Sequence, residues 1–80
     1  MTAHKFRVGD YGFSYGGYPY RLVCDDINHN SYKLVAIMAT GDYGEEYPSA
    51  HLEDGSYFSD DGRWENYDLL PPIGNKFDEV

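Results

Sequence analysis

The chain has 80 residues, with 14 acidic and 6 basic side chains and a formal net charge of -8. Such a charge repels the phosphates of nucleic acids and membranes and attracts basic surfaces, so we expect neither direct nucleic-acid binding nor a membrane partner. Eighty residues suit one domain. We predict a single domain over residues 1–80, with a core over about residues 5–70 and a tail at 71–80 that need not be ordered.

Cysteine usage and the lack of long apolar runs indicate the cellular setting. Cys24 is the only cysteine, so no internal disulfide can form, and the opening residues have no apolar stretch like that of a signal peptide. The longest apolar run, Leu34 to Ala39, is far shorter than a membrane-spanning helix. We therefore expect a reducing, intracellular environment and a cytoplasmic location.

Gly or Pro recurs at short intervals outside residues 20–40, which indicates short strands joined by turns. Large and small residues alternate over 11–15 in a first strand that ends at a tight Gly16-Gly17 turn. A second strand follows over residues 18–24. The strongest strand signal covers residues 32–39, which are apolar on both faces apart from Lys33. This pattern predicts a central strand that pairs with the second strand as an antiparallel hairpin.

The second half of the chain continues the β pattern. Residues 45–52 predict a fourth strand, and Pro48 places it at a sheet edge or a bulge because proline cannot donate a ladder hydrogen bond. Asp54-Gly55 is the strongest hairpin signal and precedes another short strand, residues 60–63 form a further turn, and Pro71-Pro72 ends the regular structure. Five or six short strands favour an all-β fold, either a small antiparallel curled sheet or a partly open SH3-like barrel.

Residues 17–72 share a pattern of turns and strands with a set of small bacteriophage proteins of unknown role. In this chain the pattern begins with Gly-x-Pro-x-Arg at Gly17 to Arg21 and an apolar strand that ends in Cys24-Asp25. A second apolar strand, Leu34 to Ile37, and a Gly-Glu-Glu turn, Gly44 to Glu46, follow. The pattern ends with an Asp-Gly-x-Tyr hairpin at Asp54 to Tyr57 and with Tyr-Asp-Leu at Tyr67 to Leu69. The chain resembles these proteins over most of its length. The resemblance implies a phage accessory protein, made in the bacterial cytoplasm, where small acidic folds bind and disable host enzymes or defence complexes. It implies no catalytic residue, because none is established for the set.

No catalytic, metal or cofactor site is predicted. Two aspartates follow Cys24 and disfavour a thiolate, so a buried structural cysteine is expected. His4, His29 and His51 lack the spacing of zinc ligands, and Asp60-Asp61-Gly62 lacks the alternating ligands of a calcium loop. The spacing of these residues in the sequence does not indicate a nucleophile, a base and an orienting group that could act together in catalysis. We therefore expect a protein that is not an enzyme and needs no cofactor.

The negative charge is concentrated in the second half of the chain. Residues 1–41 have four basic and three acidic side chains, a balance of +1, whereas residues 42–80 have two basic and eleven acidic ones, a balance of -9. We predict an acidic surface that imitates the phosphates of a nucleic acid and blocks the basic groove of a host nuclease, repair enzyme or defence complex, with aromatic hot spots. Its predicted contact residues are Asp42, Tyr43, Glu45, Glu46, Tyr47, Glu53, Asp54, Tyr57, Asp60, Asp61, Trp64, Glu65 and Asp68.

Three other interpretations are compatible with the sequence. In the first, the acidic surface has no partner and simply prevents aggregation. The protein can be an oligomer whose interface pockets sequester a nucleotide signal, or a minor virion or assembly component. The oligomeric state is left open. The tyrosines of residues 11–20 resemble base-stacking platforms, but the net charge of -8 disfavours that role because phosphate neutralisation supplies most of the affinity for nucleic acids.

Overall fold

A computed structural model describes residues 5–59 and 62–78, and the regular secondary structure there consists of strands and short 3-10 turns. The strands are β1 (Asp10–Phe13), β2 (Pro19–Cys24), β3 (Tyr32–Met38), β4 (Tyr47–Leu52), β5 (Phe58–Ser59), β6 (Gly62–Arg63) and β7 (Gly74–Asn75). The 3-10 turns are Asp42–Gly44 and Glu65–Tyr67. The predicted all-β class is confirmed.

Five strands form one antiparallel sheet in the order β4-β3-β2-β1-β7, and β5 and β6 form a separate two-stranded hairpin. The larger sheet ends at β4 on one side and β7 on the other. Of the two predicted architectures, the structure therefore has the small curled sheet, which is not closed into a barrel.

The first four strands lie where the sequence predicts them, within a few residues at each end. Gly17 provides the tight turn before β2, with φ of 89° and its N–H donating to the carbonyl of Ser14 at 2.9 Å. The strand β3 is interior, flanked by β2 and β4. The strand β4 lies at the sheet edge, as Pro48 predicts.

The core lies against one face of the sheet. Side chains of a strand point alternately to its two faces, and in β3 the buried residues Leu34, Ala36 and Met38 alternate with half-buried ones such as Ile37. Although β3 is apolar on both faces apart from Lys33, only one face is buried and the other is half-buried. The buried hydrophobic residues are Phe6, Tyr20, Leu22, Leu34, Ala36, Met38 and Leu69.

The Asp54-Gly55 turn forms, but the predicted ladder after it does not. Gly55 has φ of 90° and its N–H donates to the carbonyl of Leu52 at 2.8 Å. Beyond the bond from Leu52 N–H to the carbonyl of Ser56, the chain leaves β4, and the N–H of Tyr57 donates to Asp68 at 2.8 Å instead. The next strand, β5, pairs with β6 rather than β4.

Regular structure continues beyond Pro71-Pro72, contrary to the prediction. The strand β7 pairs with β1 at the sheet edge, and Asn75 is buried there. Its side-chain amide donates to Asp10, also buried, at 2.8 Å and to the carbonyl of Val8 at 3.0 Å. These bonds attach residues 74–75 to the start of the fold, so this part of the predicted tail belongs to the sheet.

Candidate functional site

The loop between β3 and β4 carries four predicted contact residues, all exposed. Asp42 begins the 3-10 turn, and Glu45 and Glu46 follow it. Tyr43 has φ of 59° and ψ of 26°, and its side chain is fully exposed to solvent. This left-handed conformation costs a residue other than glycine about 1 to 3 kcal/mol, and the Tyr43 ring gains no burial in return. Arg21 of β2 forms an ion pair with Glu46, which therefore contributes less negative charge than its neighbours.

A second acidic group follows β4. Asp54 accepts a hydrogen bond from the N–H of Ser56 at 2.9 Å, and this bond lowers the pKa of its carboxyl group. Glu53 lines a cavity of about 300 Å³ that Lys5 and Lys33 also line. The surroundings of Glu53 are therefore mixed in charge, because the first half of the chain supplies two cations to this region.

Two more predicted carboxylates lie near the second 3-10 turn. Glu65 is exposed at its start. Asp68 is partly buried and accepts hydrogen bonds from Arg63, one of them at 2.9 Å, which raises the pKa of the guanidinium group. Asp68 is therefore already paired. Asp60 and Asp61 lie outside the described residues.

The predicted carboxylates do not form one continuous face. Glu45 and Glu46 precede β4 whereas Glu53 and Asp54 follow it, and a strand of six residues is about 20 Å long. Two backbone bonds place the turn of Glu65 at the same end of the sheet as Glu45. One joins Gly16 N–H to Asn66 O next to the β1–β2 turn, and the other joins Ala39 N–H to Pro19 O next to the end of β3. We call the residues Asp42, Glu45, Glu46 and Glu65 the acidic end.

Aromatic side chains gather beside β4. A cavity of about 140 Å³, here called the tyrosine pocket, is lined by Met38, Thr40, Tyr47, Pro48, Ser49, Tyr57 and Tyr67. The rings of Tyr57 and Tyr67 are nearly perpendicular, with centroids 5.3 Å apart, and the Trp64 ring stacks parallel to Tyr67 at 6.4 Å. The structure thus brings together Tyr47, Tyr57 and Trp64, which the sequence selects. Tyr67, at the end of the second 3-10 turn, also lines the pocket and is not among the predicted contact residues.

A hydroxyl, an imidazole and a carbonyl are aligned behind this pocket. Ser49 and His51 are two residues apart on β4 and so share a face, and Ser49 Oγ lies 2.7 Å from His51 Nε2. His51 Nδ1 lies 3.1 Å from the carbonyl oxygen of Gly55. His51 is completely buried, and burial lowers the pKa of its imidazole to about 4. The sequence does not reveal this arrangement, because its third member is a backbone atom.

Cys24 is partly exposed, contrary to the expected buried cysteine. Its thiol lies 3.2 Å from a carboxylate oxygen of Asp26. The register of β2 against β3 shifts at this point, so the buried alternation of Tyr20 and Leu22 ends before Cys24. Within residues 5–59 and 62–78, no group of three or more His, Cys, Asp or Glu side chains is placed to hold a metal ion.

No protein-family model, curated protein or solved structure matches this chain. In the part of the chain that the structure describes, no helix has the length and apolar character required to cross a membrane.

Proposed function

We propose that this protein is a non-catalytic binding protein that covers the basic, nucleic-acid-binding surface of a host enzyme or defence complex. In this proposal it is encoded by a bacteriophage and acts in the bacterial cytoplasm. The acidic end is the part of the molecule that meets the partner. Asp42, Glu45 and Glu65 are exposed there.

Tyr43 is the observation that supports this proposal most strongly. Its ring is fully exposed within the acidic loop, and its backbone has a left-handed conformation that glycine adopts far more easily. The strained backbone of Tyr43 lowers the stability of the free protein, and burial of the ring does not compensate for this loss. A tyrosine at this position is explained if its ring packs against a partner. Tyrosine is also among the residues that contribute most to the affinity of protein interfaces.

The state of His51 supports a role without catalysis. A general base is most effective when its pKa is close to the working pH, whereas burial lowers the pKa of His51 to about 4. Accepting the proton of Ser49 would create a cation in a completely buried site. The Ser49–His51 pair therefore satisfies buried polar groups and orients the Ser49 hydroxyl group.

The test starts with capture of a partner from a bacterial lysate by the immobilised parent protein, followed by binding kinetics with the purified partner. The double variant Asp42→Lys/Glu45→Lys should associate more slowly than the parent, because charges at the rim of an interface act on encounter rates. Its matched control, Asp26→Lys/Glu53→Lys, changes the net charge equally but away from the acidic end. Salt raised from about 0.1 M to about 1 M should weaken parental binding, since it shortens the screening length.

Tyr43→Gly separates binding from folding. Glycine relieves the left-handed strain, so this variant should be at least as stable as the parent and yet dissociate faster from the partner. The captured partner should also lose bound duplex DNA when the parent protein is added. Affinity that is equal in both double variants and insensitive to salt, or a partner that keeps its DNA, would contradict the proposed function.

A further inference from the structure

The tyrosine pocket has the size of one side chain. Its volume is about 140 Å³, well below the roughly 300 to 1,000 Å³ of pockets that hold drug-sized ligands. A cavity of about 150 Å³ is known to admit a molecule as small as benzene. A nucleotide is therefore too large for this pocket, whereas the end of a single side chain fits.

The pocket offers acceptors and aromatic rings. The carbonyl of Gly55 can only accept a hydrogen bond, so Nδ1 of His51 carries the proton and Nε2 is the acceptor. The Ser49 hydroxyl group donates its one proton to Nε2 at 2.7 Å rather than to the more distant carbonyl of Ala36 at 3.4 Å, and this leaves only the lone pairs of its oxygen for a ligand. A ligand that reaches Ser49 must consequently be a hydrogen-bond donor.

The charge around the pocket favours a cation. Among the described residues, no lysine or arginine lines it. The hydroxyl group of Tyr47 lies 3.5 Å from Glu45 of the acidic end. Tyr57 and Tyr67 meet at nearly a right angle, and Trp64 stacks on Tyr67. Electron-rich ring faces attract ammonium groups, most strongly where water is displaced.

We propose that the tyrosine pocket binds a primary alkylammonium group, supplied by a lysine side chain of the basic partner. This inference rests on the proposed function, since it names the contact that anchors the partner at the acidic end. The lysine ammonium donates to Ser49 Oγ, its positive charge faces the rings of Tyr47 and Tyr57, and its methylene groups pack against Met38 and Pro48. Free polyamines have the same chemistry, so the experiment has a separate arm for them.

The experiment is a titration of the isotope-labelled full chain followed by two-dimensional amide NMR. The probe is Nα-acetyl-lysine N-methylamide, and the control compound is the norleucine analogue, which has the same chain length without the charge. The lysine compound should shift the amide signals of Ser49, Tyr57 and Tyr67, and the norleucine compound should not. Putrescine is titrated in parallel. Binding of putrescine at least tenfold tighter than that of the lysine compound would overturn the assignment to a protein lysine. Equal shifts with norleucine, or shifts confined to other residues, would overturn the site.

Variants of Tyr47 test the role of the aromatic face, because this ring is half exposed and its loss should leave the fold intact. Tyr47→Leu should weaken binding of the lysine compound about tenfold, and Tyr47→Phe, which retains the ring, should restore most of the affinity. Tyr15→Leu removes an exposed ring that does not line the pocket and should have no effect. Equal affinity in Tyr47→Leu and the parent would contradict cation binding by the rings.

Failure of this inference can be distinguished from failure of the proposed function. If Asp42→Lys/Glu45→Lys weakens binding to the purified partner but Tyr47→Leu does not, the acidic end binds the partner and the pocket does not. If the lysine compound binds in the pocket while the partner is indifferent to salt and to charge reversal, the pocket is real and the proposed function is wrong.

Discussion

The buried histidine of β4 should make the protein less stable in mild acid. Burial lowers the pKa of His51 from the ordinary 6.5 to about 4, while the carbonyl of Gly55 and the charge of Asp68 act in the opposite direction. The unfolded chain therefore binds a proton at His51 between pH 6.5 and 4, and the folded chain does not. The contribution of neutral His51 to the free energy of unfolding is fully present above pH 6.5 and decreases as the pH falls through this window. A difference of about 2.5 pH units corresponds to a loss of about 3 kcal/mol.

The measurement is urea unfolding, followed by tyrosine and tryptophan fluorescence, at intervals from pH 7.5 to pH 4.5. Each of two single variants is compared with the parent. His51→Gln keeps a donor for the carbonyl of Gly55 but cannot titrate, so most of the slope between about pH 6.5 and 4.5 should disappear. Val23→Ala changes an exposed side chain that has no ionisable group and should keep the parental slope. The loss in this window differs from that due to Asp54, whose lowered pKa places its contribution at still lower pH. The same pH dependence in His51→Gln and the parent would show that His51 does not cause the loss of stability.

Three further predictions concern stability, each measured by urea or thermal unfolding. Leu34→Ala should cost about 2 to 5 kcal/mol because Leu34 is buried, and Ile37→Ala on the opposite, half-buried face should cost less than half as much; equal losses would show that the core is misplaced. Asn75→Ala removes a donor from a buried carboxylate and should cost about 1 to 3 kcal/mol, so an unchanged midpoint would mean that β7 contributes nothing. Gly55→Ala should be more harmful than Gly17→Ala, although both glycines have φ near 90°, because only at Gly55 would the new methyl group lie within 3 Å of a core ring. The reverse order would contradict that packing.

The sequence predicts the fold well where local signals are sufficient. Alternation identifies β2 and β3, Gly16-Gly17 identifies the turn between β1 and β2, and Pro48 identifies the edge. The sequence does not predict β7. This strand has only two residues, too few to show periodicity, and its pairing depends on a bond between Asn75 and Asp10, which are far apart in the sequence.

The site is predicted only in part, for a similar reason. Composition and charge are properties of the sequence, and they select Tyr43, Tyr47, Tyr57 and Trp64 as contact residues. They do not reveal that Arg21 pairs with Glu46 across 25 residues. Nor do they reveal the carbonyl of Gly55, which fixes the direction of the hydrogen bond from Ser49. The first is a contact between residues distant in the chain, and the second involves a backbone atom, which side-chain types do not identify.

The open sheet also determines how the molecule meets copies of itself. An exposed edge strand is a template on which another chain can add a strand, and such addition can continue into polymers. Here β4 lacks one backbone N–H at Pro48 and is bounded by acidic residues before and after it, while the opposite edge, β7, is only two residues long. Neither edge offers a long, regular row of hydrogen-bonding groups to a second molecule. The composition and length of its edge strands therefore disfavour strand addition, although no barrel closes over the edges.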